Sequence, residues 1–419
     1  MRGEDMPQGA RFSYLSPEQR VPSDHPLRPI RQLVDRVLPR LSACFAGLYA
    51  EGGRPSIPPE KHLRALRWQG LYGVRSERLL MEQLDYNRLF RWLVGLNMDD
   101  PGWDFTLFSQ NREGRLEAPV ARAFLVEIGA LAREKGRLSD EHFPGDGTRS
   151  AAWAGQKSFK PRAGAPPPTD SDAGNPSVDF RGQQRTNDTH ASPTDAAAQR
   201  YKKAKGQEAK LAFLGHGLME NRNGLVVETR LTAATGTAER AASLAMIGTK
   251  RKQKPGRLTL AGAKNYDTQE QVAALRGLKV TPHVAQNTGR PGGSAIDQRT
   301  TRPAGYPVSQ TKRQRGEEIF GWFKPVAWMR QPRLRGLERV GGMCTWAAAA
   351  DNLGRRRNRL GATPGSRGRR VPRSEIRPPA RLRRAHEMTS ANLAPAAFTT
   401  PKSGTKRNLF VNEHFSSAC

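Results

Sequence analysis

Two short segments carry the residues best suited to chemistry. Asp146 lies in HFPGDGT, directly after a stretch of strand length, and Glu317 lies in KRQRGEEIFGWFK, a segment with helical character. Arg313 precedes Glu317 by one helical turn and Lys324 follows it by two, so the three side chains fall along one stripe of a helix. Carboxylates brought together from distant segments can hold two metal ions about 4 Å apart, which activate a water and stabilise the leaving oxygen of a phosphodiester. Flanking Arg and Lys side chains would then face the phosphates of such a substrate. The residues alone leave blander readings open: a solvent-facing aspartate at a strand end, and a surface helix with exposed ion pairs.

These acids need elements to position them. From Pro26 to Leu48, apolar Ile30, Leu33, Val34, Val37, Leu38 and Leu41 recur at the spacing of an amphipathic helix. A second helix is expected at EKHLRALRWQGLYG, a third from the N-cap Ser76 through ERLLMEQLDYNRLFRWLVGL, and another beginning at Asp104 or Thr106. With Arg64, Arg67, Arg75, Arg78 and Arg112 among them, residues 1–134 read either as a helix-turn-helix-type DNA-binding region or as a plain bundle with a solvated basic face. The period changes near Leu138, and strands and helices then alternate as in an α/β layer. Asn221-Arg222-Asn223-Gly224 marks a hairpin; a helix through Ala238, Ala242, Leu244 and Ile247, strands at LTLA and VTPHVAQ around a helix at TQEQVAALRGL, and a helix from about Arg313 to Arg330 follow. Residues from about 156 to 205 lack apolar periodicity and read as a loop insertion. Residues 361–419, with arginine runs and few apolar positions, read as a disordered basic tail.

With 419 residues the chain has room for two cores, and its formal charge of +30 points to a polyanionic partner, nucleic acid first. Cys44, Cys344 and Cys419 form neither a CxxC pair nor a disulfide pattern, which fits a reducing compartment. The sequence has no apolar run of membrane-spanning length and no signal-peptide core, so the expected location is cytoplasmic, on nucleoid DNA, with no membrane partner.

In order along the chain, FSYLSPEQRVPSDHPLRPI, GRPSIPPEKHLRAL, RSERLLMEQLDYNRLFRWLVGLNMD, the DGT at Asp146, KSFKPRAG, NPSVDFRG, THASPTD, GTAERAASLAMI, NYDT, VTPHVAQN, GRPGGSAID and KRQRGEEIFGWFK resemble segments of bacterial insertion-sequence transposases of the DDE class, in the IS-five group. The resemblance spans roughly residues 10 to 360. It implies an α/β RNase H-like catalytic domain with an insertion over residues 135–360, preceded by the all-α region. It also implies double-stranded DNA with terminal inverted repeats as partner, assembly as a homo-oligomer on that DNA, and Mg²⁺ or Mn²⁺ as cofactor. Asp146 matches the first acid and Glu317 the last, both as metal ligands, while Arg313 and Lys324 complete the signature around Glu317. The chain departs from the pattern at the middle acid. Where the group has an aspartate, AGAKNYD carries Ala263, and Gln310 stands at the position of a tyrosine. A transposase with impaired catalysis is expected; a non-enzymatic DNA-binding remnant, or an inhibitor of related transposases, is the alternative.

Overall fold

The computed structural model describes residues 16–48, 56–114, 118–162, 178–180, 183–203, 206–254, 256–327 and 329–360. The segment read as a basic tail lies outside the described residues. The described residues fall within one compact unit.

After a capped first turn at Pro17–Arg20 come helices α1 (Arg28–Val37), α2 (Pro59–Tyr72), α3 (Glu77–Tyr86), α4 (Arg88–Val94), α5 (Phe105–Gly114) and α6 (Ala118–Glu134). Their limits follow from local chemistry. Ser76 accepts the amide of Leu79 at the start of α3, as the sequence suggests. The stretch expected to continue as one helix instead breaks at Asn87, which ends α3 and accepts the amides of Leu89 and Phe90 to open α4. An asparagine that can satisfy the next helix's free N–H groups favours a cap over an interior position.

The α/β part contains strands β1 (His142–Ala151), β2 (Lys210–Met219) and β3 (Val226–Ala233), then α7 (Ala238–Gln253), β4 (Leu258–Gly262), α8 (Gln269–Gly277) and β5 (Val280–Val284). Two helices close it, α9 (Gly305–Phe323) and α10 (Leu337–Leu360). In the sheet, β5, β4 and β1 run parallel, while β1, β2 and β3 pair antiparallel, which leaves β1 central. Pro144 sits in this central strand just before the antiparallel ladder to β2 begins at Gly145, where its missing N–H breaks no bond of that ladder. At the expected hairpin, Glu220 accepts the amides of Arg222, Asn223 and Leu225 and so fixes the turn between β2 and β3. The tract read as a loop insertion contains short paired segments, and one of them, Gln199–Tyr201, adds to the sheet beside β2. α9 begins earlier than expected, because Pro307 is harmless in a first turn and the polar run after it shows no apolar period. It ends at Phe323, just ahead of Pro325.

The sheet is covered on both faces. Phe143, Leu218, Leu258 and Leu260 pack against Met246 and Ile247 of α7. On the other side, Phe213 and Met219 join a larger core with Phe320, Val340, Cys344 and Leu353, which continues into Ile30, Leu63, Trp68 and Phe124 of the N-terminal helices. α10 is therefore shared between the sheet and the helical region. Asn352 fixes it to the edge of β3, accepting the Val226 amide at 2.8 Å and donating to the Val226 carbonyl at 2.8 Å. Among the described residues no helix is long and apolar enough to cross a membrane.

Candidate active site and basic cavity

Asp146 sits two residues beyond the last parallel pair between β1 and β4. That pair is Pro144 with Ala261, so continuing the same register sets Asp146 level with Ala263, immediately after β4. The position that resemblance marks as a lost aspartate is thus next to the first acid, on the adjoining strand end. Ala263 is half-buried and packs with Tyr266, Val272, Val284 and Ile296.

α9 brings the second acid. It crosses β1 at Gly316, where an added Cβ would lie 3.5 Å from the Cβ of Asp146, an ordinary contact distance that sets helix and strand directly against each other. Glu317 follows directly, with an exposed side chain whose Oε1 lies 3.8 Å from Arg313 Nη1. Burial pushes the Asp146 carboxyl above its ordinary range, and the negative charge of Glu317 pushes the same way; the Gly147 amide, donating to Oδ1 at 2.8 Å, and Arg313 pull it back down. Asp146, Glu317 and Arg313 therefore act on one another.

Lys324 reaches the same acid from the end of α9 but stands in different company. Burial lowers its pKa first, then the like charges of Lys203, Arg149 and Arg330, with only Asp146 acting in the opposite sense. Arg149 Nη1 and Arg313 Nε are buried and have no hydrogen-bond partner among the described residues. This is a concentration of positive charge beside the acidic pair.

A third carboxylate escaped the sequence reading. Glu239, in the first turn of α7, lies against Gly147, where an added Cβ would come 2.7 Å from Glu239 Oε1. Its pKa is raised by burial and then by Asp146. The buried phenol of Tyr266 is raised for the same reasons, with burial first and Glu239 and Asp146 after it. The available signal was an acidic residue opening a helix directly after a strand hairpin, in GTAERAAS, a position that usually reads as dipole compensation. Asp267, by contrast, is taken up by structure: its carboxylate accepts the amides of Asn287 at 2.7 Å and Ala295 at 2.9 Å. Gln310 donates to the His283 carbonyl at 2.7 Å and ties α9 to β5. Among the described residues no group of three or more His, Cys, Asp or Glu is placed to hold a metal ion.

Residues 15–114 match the family described as Transposase domain (DUF772). The match covers about a quarter of the chain and lies wholly within the N-terminal helical region. No curated protein matches the sequence. Among solved structures, the piggyBac transposase synaptic complex with hairpin DNA aligns over 90% of this chain and 87% of that one, at 11% identity and a TM-score of 0.36. A pre-cleavage Mos1 transpososome aligns over 76% and 84%, at 11% identity and a TM-score of 0.18.

A cavity of about 1130 Å³ opens between the N-terminal helices and the segment from Trp322 to Ala350, with Lys324 in its wall. Arg67, Arg75, Arg78, Arg330 and Arg333 also line it. Among the described residues its one lining carboxylate, Glu77, is paired with Arg112.

Proposed function

We propose that this chain descends from insertion-sequence transposases and was built for metal-dependent hydrolysis of DNA at element ends, followed by strand transfer from the freed 3′-hydroxyl. In this copy Ala263 has disabled the hydrolysis. The observation that carries the reading is the meeting of three sequence-distant positions, Asp146, Glu317 and residue 263, where the parallel pairing of β1 with β4 stops. The transposase-domain match supports it from a separate part of the chain. A central β1 with its acid at the junction of the parallel and antiparallel halves supports the RNase H-like description of the domain. The helices of residues 15–114 would contact double-stranded DNA bearing the terminal inverted repeats, on nucleoid DNA in the cytoplasm, with copies of the chain assembled on paired ends.

The donor set decides how much chemistry remains. Asp146 and Glu317 would hold a divalent cation, Mg²⁺ or Mn²⁺, which when bound supplies positive charge to a scissile phosphate. They do not suffice for a pair of ions, because residue 263 offers a methyl group where a shared carboxylate is needed. The protein's own side chains keep the remaining tasks. Arg313 orients Glu317 across one helical turn, and the cluster of Lys324, Lys203, Arg149 and Arg330 attracts the phosphate backbone independently of any metal.

Duplex DNA carrying the inverted repeats that flank the gene tests the reading. Incubated with Mg²⁺ or Mn²⁺, the unmodified protein is expected to bind the ends and leave them intact, whereas Ala263→Asp cleaves them. Cleavage by the unmodified chain would overturn the assigned lesion. The second reading, a non-enzymatic remnant that occupies ends or inhibits related transposases, is favoured by the same alanine beside a retained basic cluster. It requires end-selective binding with no cleavage even in the Ala263→Asp variant.

A further inference from the structure

We propose that the cavity between the N-terminal helices and α10 seats a short stretch of unpaired DNA strand. The proposal rests on the DNA reading above and adds to it a second contact region, separate from the acids. Its chemistry is that of a strand with exposed bases. Arg67 lies at 5% exposure, and neither Nη1 nor Nη2 has a hydrogen-bond partner among the described residues. A buried guanidinium whose donors are unmet is costly unless an acceptor reaches it, and a phosphate meets it bidentately. Arg67 is held for this purpose over the ring of Phe124, with its Cζ 4.0 Å from the centroid. Exposed Arg75, Arg78, Arg330 and Arg333 continue the positive charge outward to the rim.

The remaining walls are aromatic. Trp322 and Trp346 are half-buried in the lining, and Phe105, exposed at the edge, lies under Arg78 with 4.8 Å between Cζ and the ring centroid. Arginines interleaved with flat aromatic faces suit unstacked bases on a charged backbone, the combination by which single strands are held with little sequence preference. Size points the same way. Pockets for drug-sized ligands run to about 300–1,000 Å³, so a space of about 1130 Å³ has room for a few nucleotides. Lys324 belongs both to this lining and to the surroundings of Asp146, which places the entrance beside the acids.

Fluorescence polarisation on the full chain tests the proposal with two labelled probes of equal length, an oligothymidylate and a blunt duplex. Stacking of one base on an aromatic side chain is worth about 1–3 kcal/mol. Trp322→Ala and Arg333→Gln are therefore each expected to weaken oligothymidylate binding by about tenfold, and the duplex by less than about twofold. Arg67→Gln is expected to do the same. Because it alters a buried site, circular dichroism must show a native fold, and the exposed Arg333→Gln variant stands independently of it. Equal losses on both probes, or none, overturn the cavity assignment and leave the DNA reading in place. Duplex binding without oligothymidylate binding by the unmodified protein overturns the cavity assignment alone. Failure to bind either probe removes the DNA reading and this inference with it.

Discussion

In the middle of β1, two carboxylates act on each other across a single helix–strand crossing. In the neighbouring cavity, positive charge comes from side chains on two sets of helices and the segment between α9 and α10. These regions depend on single residues in opposite ways. Metal-assisted hydrolysis needs every donor of a small set in place, so on the proposed function one methyl group at position 263 is enough to remove that step. Phosphate attraction sums many weak terms, and the loss of one arginine lowers it without abolishing it. A transposase that decays by substitution should therefore lose cleavage first and DNA binding last.

The largest effect that would break this contrast comes from restoring the donor. Ala263→Asp is expected to raise end cleavage at least about 100-fold above the unmodified protein with Mn²⁺, above the 10–100-fold that outer partners of a metal contribute. Gel analysis of nicked product measures it. If binding, rather than cleavage, were the property that changed, the two regions would not be separable.

A second comparison separates residue 263 from the acid nearest to it in sequence. Asp267 lies four residues from Ala263 but anchors the loop through the amides of Asn287 and Ala295. Asp267→Ala leaves those donors unmet and is expected to destabilise the fold by about 1–3 kcal/mol. Introduced alongside Ala263→Asp, it should lower the denaturation midpoint while the recovered cleavage persists below that midpoint. Loss of cleavage at full folding would instead make Asp267 a participant.

The cavity side has a structural counterpart in Asn352, whose paired bonds to Val226 hold α10 against the sheet and so hold one wall of the cavity. Asn352→Leu is expected to cost about 1–3 kcal/mol, since a backbone donor and acceptor at a buried site lose their partners. Chemical denaturation measures the cost.

How much of this was legible beforehand follows from which forces act locally. The cap at Ser76, a helix start near Asp104, the Asn-Gly hairpin and the alternation of strands and helices rest on neighbours in sequence, and the structure contains them. Asn87 splits a helix because one polar side chain outcompetes a continuing apolar pattern. The sharing of α10 between helical region and sheet could not be read, since GGMCTWAAAADNL has the composition of any small-residue helix and its partners in β3 and the N-terminal helices are more than 100 residues away. At the site, Asp146 and Glu317 could be named from their segments, whereas Glu239 could not, because its nearness to Asp146 arises from the packing of α7 against β1 and from nothing in its own segment.

The smallest expected effect concerns Asp146 itself and separates an acid kept for chemistry from one kept for stability. Burial and Glu317 raise its carboxyl pKa in the folded chain above the unfolded value. The folded state therefore binds that proton more tightly than the unfolded state does, and stability attributable to this group falls as pH rises from the unfolded pKa through the folded one. At pH 7 the charged carboxylate is a net burden on the fold. Asp146→Asn should accordingly raise Tm at pH 7, and the gain should vanish near pH 3, where both states carry the proton. Adding Mn²⁺ to the Ala263→Asp protein should bring the same kind of relief while Asp146 is present, by neutralising the carboxylates, and none once it is replaced. A drop in Tm for Asp146→Asn at pH 7 would mean that Asp146 supports the structure, and that its place beside Ala263 reflects packing more than a former metal site.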